Sequence, residues 1–275
     1  MFSCGMTEST ATTMYRTRTD ALTTDVGAGQ PVVFAHGTLM DRTMFQPQLE
    51  ALAPDYRAVA YDLRARTDQY ASTYDLVDLA GDCAAVLDGL GEERAVIGGM
   101  SMGGFMALRF ALAYPERVDG LLLIDSMATP HEPAERETYG QLVEPLERSH
   151  DPVPRSLAEG VAGYLFGETT RQMNPALVEA WIDRWATYPG AAVYNELHSW
   201  LERPDVTDRL AEIDVPVLVV HGEEDPSIDP SRAEPMLAEI PDARMEQIPN
   251  AGHTSTLEAP DGVNEAITSF LDERF

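Results

Sequence analysis

Six short apolar runs alternate with longer amphipathic segments, and this alternation limits the fold more than any other feature of the chain. Near-continuous Val, Ile, Leu and Ala content is typical of parallel strands that are buried on both faces of a sheet. Strands that are separated by helices pair in parallel through right-handed crossovers. The sequence therefore predicts an α/β fold with a mostly parallel central sheet. The runs are 31–37, 56–63, 93–99, 118–126, 215–222 and 243–249.

The segments between these runs predict helices that flank the sheet. Apolar residues recur in them at spacings of three and four, which places one apolar stripe on each helix. The stretch before Gly29 predicts an additional antiparallel hairpin at the edge of the sheet. The predicted flanking helices are 75–90, 102–114, 231–240 and 261–273.

The alternation stops between residues 127 and 213, a segment that we call the insertion. It contains no convincing strand and predicts four helices divided by Pro and Gly, at about 133–148, 156–166, 175–188 and 190–202. We expect the insertion to form a helical cap over one end of the sheet. The predicted organisation is a flexible tail over 1–14, a core of 15–126 and 214–275, and the cap at 127–213.

The charge of the chain is strongly negative. There are 46 Asp and Glu against 19 Lys and Arg, which gives a formal net charge of -27, and all 19 basic residues are Arg. The Debye length falls to about 3 Å near 1 M salt, where the self-repulsion of such a chain is well screened. The composition therefore predicts a halophilic protein from an acidic proteome, although a GC-rich genome alone would also replace Lys by Arg. Nucleic acid and anionic membranes are excluded as favourable partners.

Location and cofactor use are constrained by what the sequence lacks. It shows no apolar run of transmembrane length and no apolar core in a basic N-terminal leader, so we predict a cytoplasmic protein. The absence of Lys excludes a P-loop, a Schiff base and a Ser-Lys dyad. We predict no metal and no cofactor. A monomer and a homodimer are both left open.

The stretch GGMSMGG, at 98–104, places Ser101 among four glycines between a strand and a helix. A G-x-S-x-G at such a junction is the pattern of a nucleophile elbow. The turn is sharp, so side chains at Gly99 and Gly103 would collide, and Gly104 lets the helix pack close to the sheet. A glycine turn of purely structural function is the alternative. The dinucleotide fingerprint fails because no G-x-G-x-x-G can be aligned here.

A nucleophilic serine needs a base and a group that orients the base. His253 is the candidate base, because it lies in a Gly-containing loop after the last strand. We interpret His36 and His221 as structural residues at strand ends, and His131, His150 and His198 as surface residues of the insertion. Asp225, just beyond the fifth run, is the candidate acid. Its competitors are Asp125, at the end of the fourth run, and the nearby Glu223, Glu224 and Asp229.

Four motifs in order, HGT, GMSMGG, HGEEDP and AGH, make the chain resemble an α/β-hydrolase with a helical cap over about residues 20 to 275. The resemblance assigns the acid to Asp225 and the base to His253. It implies an oxyanion hole formed by the backbone N–H groups of Thr38 and Met102. The stretch DLRARTD, at 62–68, is shorter than the corresponding loop of relatives and lacks its glycines.

The resemblance implies a serine hydrolase of the carboxylesterase or enol-lactonase type. We predict hydrolysis of a small ester, lactone or thioester through an acyl-enzyme on Ser101. Tyr164, Phe166, Trp181 and Trp185 are the candidate pocket residues. Dehalogenases and epoxide hydrolases of this fold use aspartate as the nucleophile, so Ser101 argues against both. Perhydrolysis, C–C hydrolysis, a lyase reaction on the same triad and a non-catalytic binding protein stay open.

The charge surplus generates a prediction about stability. The melting temperature should rise between 0.1 and 2 M KCl, because salt screens the repulsion among the excess carboxylates. Thermal unfolding followed by circular dichroism over this range measures the effect. A melting temperature that does not change with KCl would contradict the halophilic interpretation.

Overall fold

A computed structural model describes residues 22–275 of the chain, so the tail predicted for 1–14 lies outside the described residues. The described part has a seven-stranded sheet in the order β1-β3-β2-β4-β5-β6-β7. All neighbouring strands pair in parallel except β1, which is antiparallel to β3. The strands are β1 (Thr23–Gly27), β2 (Pro31–Ala35), β3 (Arg57–Tyr61), β4 (Ala95–Met100), β5 (Val118–Ile124), β6 (Val217–Gly222) and β7 (Ala243–Ile248).

The sheet confirms the predicted fold class, and each of the six apolar runs contains a strand. Every residue of β2, β4 and β6 is buried, as expected of central strands covered on both faces. The expectation for the edge was wrong in one respect. The first strand does not form a hairpin with the second, because β1 pairs with β3, with Thr23 opposite Tyr61 and Gly27 opposite Arg57. It is an antiparallel edge strand separated from β2 by β3.

Helices flank the sheet and bury their apolar stripes on it. The second of them, α2 (Leu76–Leu90), begins with a capping box in which Asp75 accepts hydrogen bonds from the backbone N–H groups of Val77 and Asp78. It ends at Gly91, which has a φ of 75° that favours glycine. The flanking helices are α1 (Gln46–Leu52), α2 (Leu76–Leu90), α3 (Met102–Ala113), α9 (Glu234–Glu239), α10 (Ser255–Glu258) and α11 (Pro260–Arg274).

The insertion lies between β5 and β6. Every residue of this segment is described, and none of them belongs to a strand of the sheet. The sequence predicted four helices there; the structure adds a short fifth, α6, between the second and third. The helices are α4 (Pro133–Val143), α5 (Arg155–Leu165), α6 (Glu168–Met173), α7 (Pro175–Trp185) and α8 (Gly190–Leu201). Within residues 22–275, no helix is both long and apolar enough to cross a membrane.

The turn from β4 into α3 is a tight passage of the fold. Ser101 stands between them with a φ of 51°, a backbone conformation that side chains rarely adopt. A Cβ on Gly99 would lie 2.2 Å from the carbonyl carbon of Gly103, and one on Gly103 would lie 2.1 Å from the carbonyl oxygen of Ala35. A Cβ on Gly104 would meet the Ser126 side chain at 2.3 Å. The glycines are therefore required for close approach of α3 to β2, β4 and the end of β5.

We expect Gly103→Ala to destabilise the protein by about 3 kcal/mol or more, because the added methyl meets backbone that cannot move aside. Gly160→Ala is the matched control: Gly160 lies in α5, and a Cβ there meets no atom within 4 Å. This control should leave the free energy of unfolding unchanged or raise it by about 0.5–1 kcal/mol, since Ala has a higher helix propensity than Gly. Chemical denaturation of both variants measures the difference, and equal stability of the two would contradict the packing argument.

Candidate active site

Ser101 and His253 meet at the C-terminal edge of the sheet. Ser101 follows β4, and His253 lies in the loop between β7 and α10. The serine Oγ lies 2.9 Å from His253 Nε2, so the hydroxyl can donate a hydrogen bond to the imidazole. Both side chains are buried, with 7% and 3% of their residue surface exposed. The pair is accessible from the cavity described below and shielded from bulk solvent.

Asp225 orients the imidazole from the other side. Its Oδ2 lies 2.7 Å from His253 Nδ1, which donates to it. The other carboxylate oxygen accepts from the backbone N–H groups of Ser227 and Ile228, at 2.8 and 2.9 Å. His221 Nε2 lies 3.1 Å from Asp225 Oδ2, the oxygen that also contacts His253, and 2.8 Å from the Ile228 carbonyl oxygen. The carboxylate is thereby fixed in one orientation.

Asp125, the alternative acid, has another function in the structure. Its Oδ1 accepts from the Gly222 backbone N–H at 2.9 Å, and its Oδ2 accepts from the N–H and the hydroxyl of Ser255, at 3.1 and 2.7 Å. It joins the ends of β5 and β6 to the start of α10. Burial raises the pKa of Asp125 to about 7 although the charge of His221 opposes the rise. The imidazole of His253 is contacted by Asp225, not by Asp125.

The electrostatics of the pair favour a charged carboxylate beside the histidine. Burial alone would raise the pKa of Asp225, but the charge of His253 and hydrogen bonds from His221 and His253 hold it below its ordinary value. Burial opposes protonation of His253, yet the charge and hydrogen bond of Asp225 outweigh burial and raise its pKa above 6.5. The imidazole is thus a stronger base than an isolated one.

Thr38 and Met102, the residues expected to supply an oxyanion hole, lie on either side of Ser101. Met102 begins α3, so its N–H is one of the helix-start donors without an intrahelical acceptor. Within residues 22–275, no protein group accepts a hydrogen bond from either backbone N–H. The Thr38 hydroxyl accepts from the Trp200 indole N–H at 2.8 Å. Both residues border the cavity or its serine.

The loop after Thr38 is held by a buried ion pair. Leu39, with a φ of 65°, donates its N–H to Glu196 Oε2 at 3.0 Å. Arg66 donates to the same carboxylate oxygen at 2.9 Å and to the Met40 carbonyl oxygen at 2.8 Å. Its guanidinium also lies 3.8 Å from the centre of the Tyr188 ring. The unusual stretch at 62–68 therefore contributes Arg66, which ties the Thr38 loop to α8 of the insertion.

A largely apolar cavity of about 90 Å³ opens over Ser101 between the sheet edge and the insertion. Of the four predicted pocket residues, Tyr164 and Trp185 line it. Phe166 and Trp181 are not among its lining residues in the described part of the chain. They pack against the Trp185 ring instead, with ring centres 6.0 and 6.5 Å away. Sequence reasoning missed most of the wall, including Leu39, Tyr139, Leu142, Val143, Val161, Val193, Leu197, Trp200 and Ile228.

His131 was predicted to lie on the surface, and this was wrong. It is 4% exposed and lines the cavity, where its ring packs on Trp200 with centres 5.0 Å apart. The sequence gives no periodic signal for this position, because it precedes α4 in a connecting segment. His150 and His198 are exposed, as expected. His36 links the end of β2 to the segment after β3, where the Leu63 N–H donates to His36 Nε2 at 3.0 Å.

One group of metal-ligand type exists among the described residues: Asp125, His221 and Asp225, whose donor atoms lie within 4.8 Å of one another. Their carboxylate oxygens accept backbone and side-chain hydrogen bonds, and His221 Nε2 is engaged by the Ile228 carbonyl oxygen. A cation would have to displace these bonds. The arrangement fits a hydrogen-bonded brace of the loops better than a ligand set.

Comparison with known proteins places this site in a family. A solved thermophilic esterase from Thermogutta terrifontis is 33% identical, with a TM-score of 0.84 and coverage of 91% of this chain and 92% of the other. The 3-oxoadipate enol-lactonase 1 of Acinetobacter baylyi is 29% identical over 87% of this chain and 88% of its own length. A non-heme haloperoxidase of Rhodococcus erythropolis is 28% identical, with coverage of 90% and 94%.

The model of the alpha/beta hydrolase family matches residues 32–266, which include every residue of the site described above. The match spans the turn after β4 that carries Ser101 and the loop after β7 that carries His253. This chain belongs to the alpha/beta hydrolase family.

Proposed function

We propose that the protein is a serine hydrolase that cleaves a small ester, lactone or thioester through an acyl-enzyme on Ser101. One observation carries this proposal: the Ser101 hydroxyl, the His253 imidazole and the Asp225 carboxylate form a continuous hydrogen-bonded chain, with contacts of 2.9 and 2.7 Å. These are the contacts that a nucleophile, its base and the group that orients the base require.

The geometry supports a two-step acyl transfer. Ser101 Oγ attacks the substrate carbonyl carbon while His253 Nε2 takes the hydroxyl proton. The oxyanion that forms can accept hydrogen bonds from the Thr38 and Met102 N–H groups, which lack protein acceptors within residues 22–275. His253 then protonates the departing alcohol or thiol. Water attacks the acyl-enzyme and gives a proton to His253, which passes it to the departing Ser101 oxygen, so that the acid and free Ser101 are released.

The cavity supports a small substrate with a largely apolar body. Aliphatic and aromatic side chains form most of its wall, and its volume of about 90 Å³ is modest. The esterase and enol-lactonase among the similar proteins agree with ester or lactone hydrolysis. They do not select between these substrates, since most of the wall of this cavity belongs to the insertion of this chain.

Perhydrolysis is the second candidate, and it is favoured by the similarity to a haloperoxidase. In that reaction hydrogen peroxide replaces water, attacks the acyl-enzyme and yields a peracid and free Ser101. The same three side chains would serve it. Peracid formation from acetate and hydrogen peroxide distinguishes it from hydrolysis alone.

The surface charge supports a working environment of concentrated salt. Three Arg side chains of the described residues each contact more than one carboxylate, and Arg155, in α5, contacts Glu159, Glu179 and Asp183. The 19 basic residues cannot neutralise 46 acidic ones, so much of the surface stays anionic. We therefore propose that the protein is halophilic, and its activity is to be assayed in molar KCl.

A fluorophosphonate probe in 1–2 M KCl should label the wild-type protein and not Ser101→Ala, because only an oriented serine is activated by its base. Gel fluorescence measures the labelling, and release of acid from short-chain esters measures turnover. We expect Ser101→Ala to lose at least about 10³-fold in kcat/KM. Absence of labelling in both proteins would overturn the proposal and favour a binding function.

We expect Asp225→Asn to reduce kcat/KM by about 10³–10⁴-fold, because the amide no longer orients and stabilises the charged imidazole. Asp125→Asn is the matched control. Its kcat/KM should fall by no more than about tenfold, since Asp125 does not contact His253. A larger loss at Asp125 than at Asp225 would refute the assignment of the acid.

The same variants have a pH signature. The acid limb of kcat/KM should fall at a higher pH than the ordinary pKa of a histidine, because Asp225 raises the pKa of His253 and only the neutral imidazole is a base. Asp225→Asn should move this limb to lower pH, since burial then acts without the opposing charge. Rates of hydrolysis between pH 5 and 9 measure the shift, and a limb that stays in place would contradict the electrostatic role of Asp225.

A further inference from the structure

His131 lines the cavity and carries a hydrogen-bond donor whose position on the ring is fixed. Its Nδ1 lies 3.0 Å from an Arg203 Nη1 atom, and a guanidinium can only donate. Nδ1 must therefore accept, which leaves the single proton of the neutral ring on Nε2. Burial and the Arg203 charge lower the pKa of His131 to about 2, so the ring stays neutral. No group within residues 22–275 accepts a hydrogen bond from Nε2.

Arg203 is itself held rigidly behind this histidine. It is 5% exposed, and its guanidinium donates to the carbonyl oxygens of Thr129, at 2.7 Å, and Trp200, at 3.3 Å. It stacks 3.8 Å from the centre of the Phe105 ring. Among the described residues no carboxylate lies within salt-bridge distance of it. The buried positive charge therefore makes the region around His131 favourable for an electron-rich oxygen.

Some of the other polar groups of the cavity wall are already engaged. The Thr38 hydroxyl accepts from Trp200, and the Ser227 hydroxyl donates to the Tyr164 carbonyl oxygen at 2.5 Å. Ser101 and His253 bond to each other. The Trp200 ring lies between His131 and the Thr38 loop, because the His131 ring packs on it and its indole N–H donates to Thr38. Its Nε2–H is therefore one of the few donors of a largely apolar wall, with the Thr38 N–H and the hydroxyls of Tyr139 and Tyr164.

We propose that His131, positioned by Arg203, selects esters or lactones that carry a second acceptor oxygen beyond the scissile group, a carbonyl, ether or carboxylate oxygen that accepts from Nε2–H. This inference rests on the proposed function and deepens it by naming the substrate class. A substrate without such an oxygen leaves the donor without a partner in an apolar cavity, which penalises its binding.

The test compares esters of similar size that differ in the acceptor. On the acyl side these are ethyl pentanoate, ethyl 4-oxopentanoate and monoethyl succinate; on the alcohol side, butyl acetate and 2-methoxyethyl acetate. We expect the wild type to favour an acceptor ester by about fivefold or more in kcat/KM on at least one side. The succinate and 4-oxopentanoate arms tell a charged acceptor from a neutral one.

Two substitutions separate hydrogen bonding from packing. His131→Leu removes the donor, and the preference should fall to about one. His131→Gln keeps an N–H donor of similar reach and should retain part of the preference. A preference that is absent in the wild type, or equally large in His131→Leu, would overturn the proposal. The ratio between two substrates is insensitive to general damage, which lowers both rates together.

Nitrogen-15 NMR of the imidazole gives a readout that does not depend on turnover. We expect the wild-type protein to show His131 as the neutral ring with its proton on Nε2; a proton on Nδ1, or an imidazolium near neutral pH, would overturn the proposal. Fluorophosphonate labelling of the wild type distinguishes failure of the selection by His131 from failure of the proposed hydrolase function. Labelling without substrate preference refutes the selection by His131 alone, whereas absent labelling refutes the proposed function.

Discussion

The close approach of α3 to the sheet is the constraint on which the rest of the site depends. The first turn of that helix lies against β2 and β4 at distances that admit no side chain at Gly99 or Gly103. This approach forces Ser101 into a positive φ and lifts its hydroxyl out of the plane of the strands. It also brings the Met102 N–H beside the hydroxyl. The proposed nucleophile and the proposed oxyanion donor are consequently placed by one packing contact.

Around this turn, buried charge is arranged in pairs whose members fix one another. Asp225 is desolvated, but two backbone N–H groups and His253 compensate for the burial. Asp125 lies close by, and burial raises its pKa to about 7, so the structure avoids two full negative charges in one dry region. The two carboxyl groups therefore divide their functions: one serves the imidazole, and the other braces the loops.

The core was predictable because its signals are local and periodic. Buried strands, amphipathic helices and the glycines around Ser101 each follow from spacing along the chain, and the structure reproduces them. The choice between Asp225 and Asp125 was not open to such reasoning, since both follow strands that neighbour each other in the sheet. The wall of the cavity was less predictable still, because it depends on how the helices of the insertion pack. His131 was misassigned for this reason.

The buried contact of Arg66 with Glu196 links two parts of the chain that the sequence keeps 130 residues apart. Glu196 lies on α8, whereas the amide that it holds belongs to the loop beside the nucleophile. Any fluctuation that detaches α8 exposes two charges and at the same time frees that loop from its left-handed conformation. Movement of α8 away from the cavity and release of the Thr38 loop would therefore occur together, so a wide opening would also displace the proposed oxyanion donor.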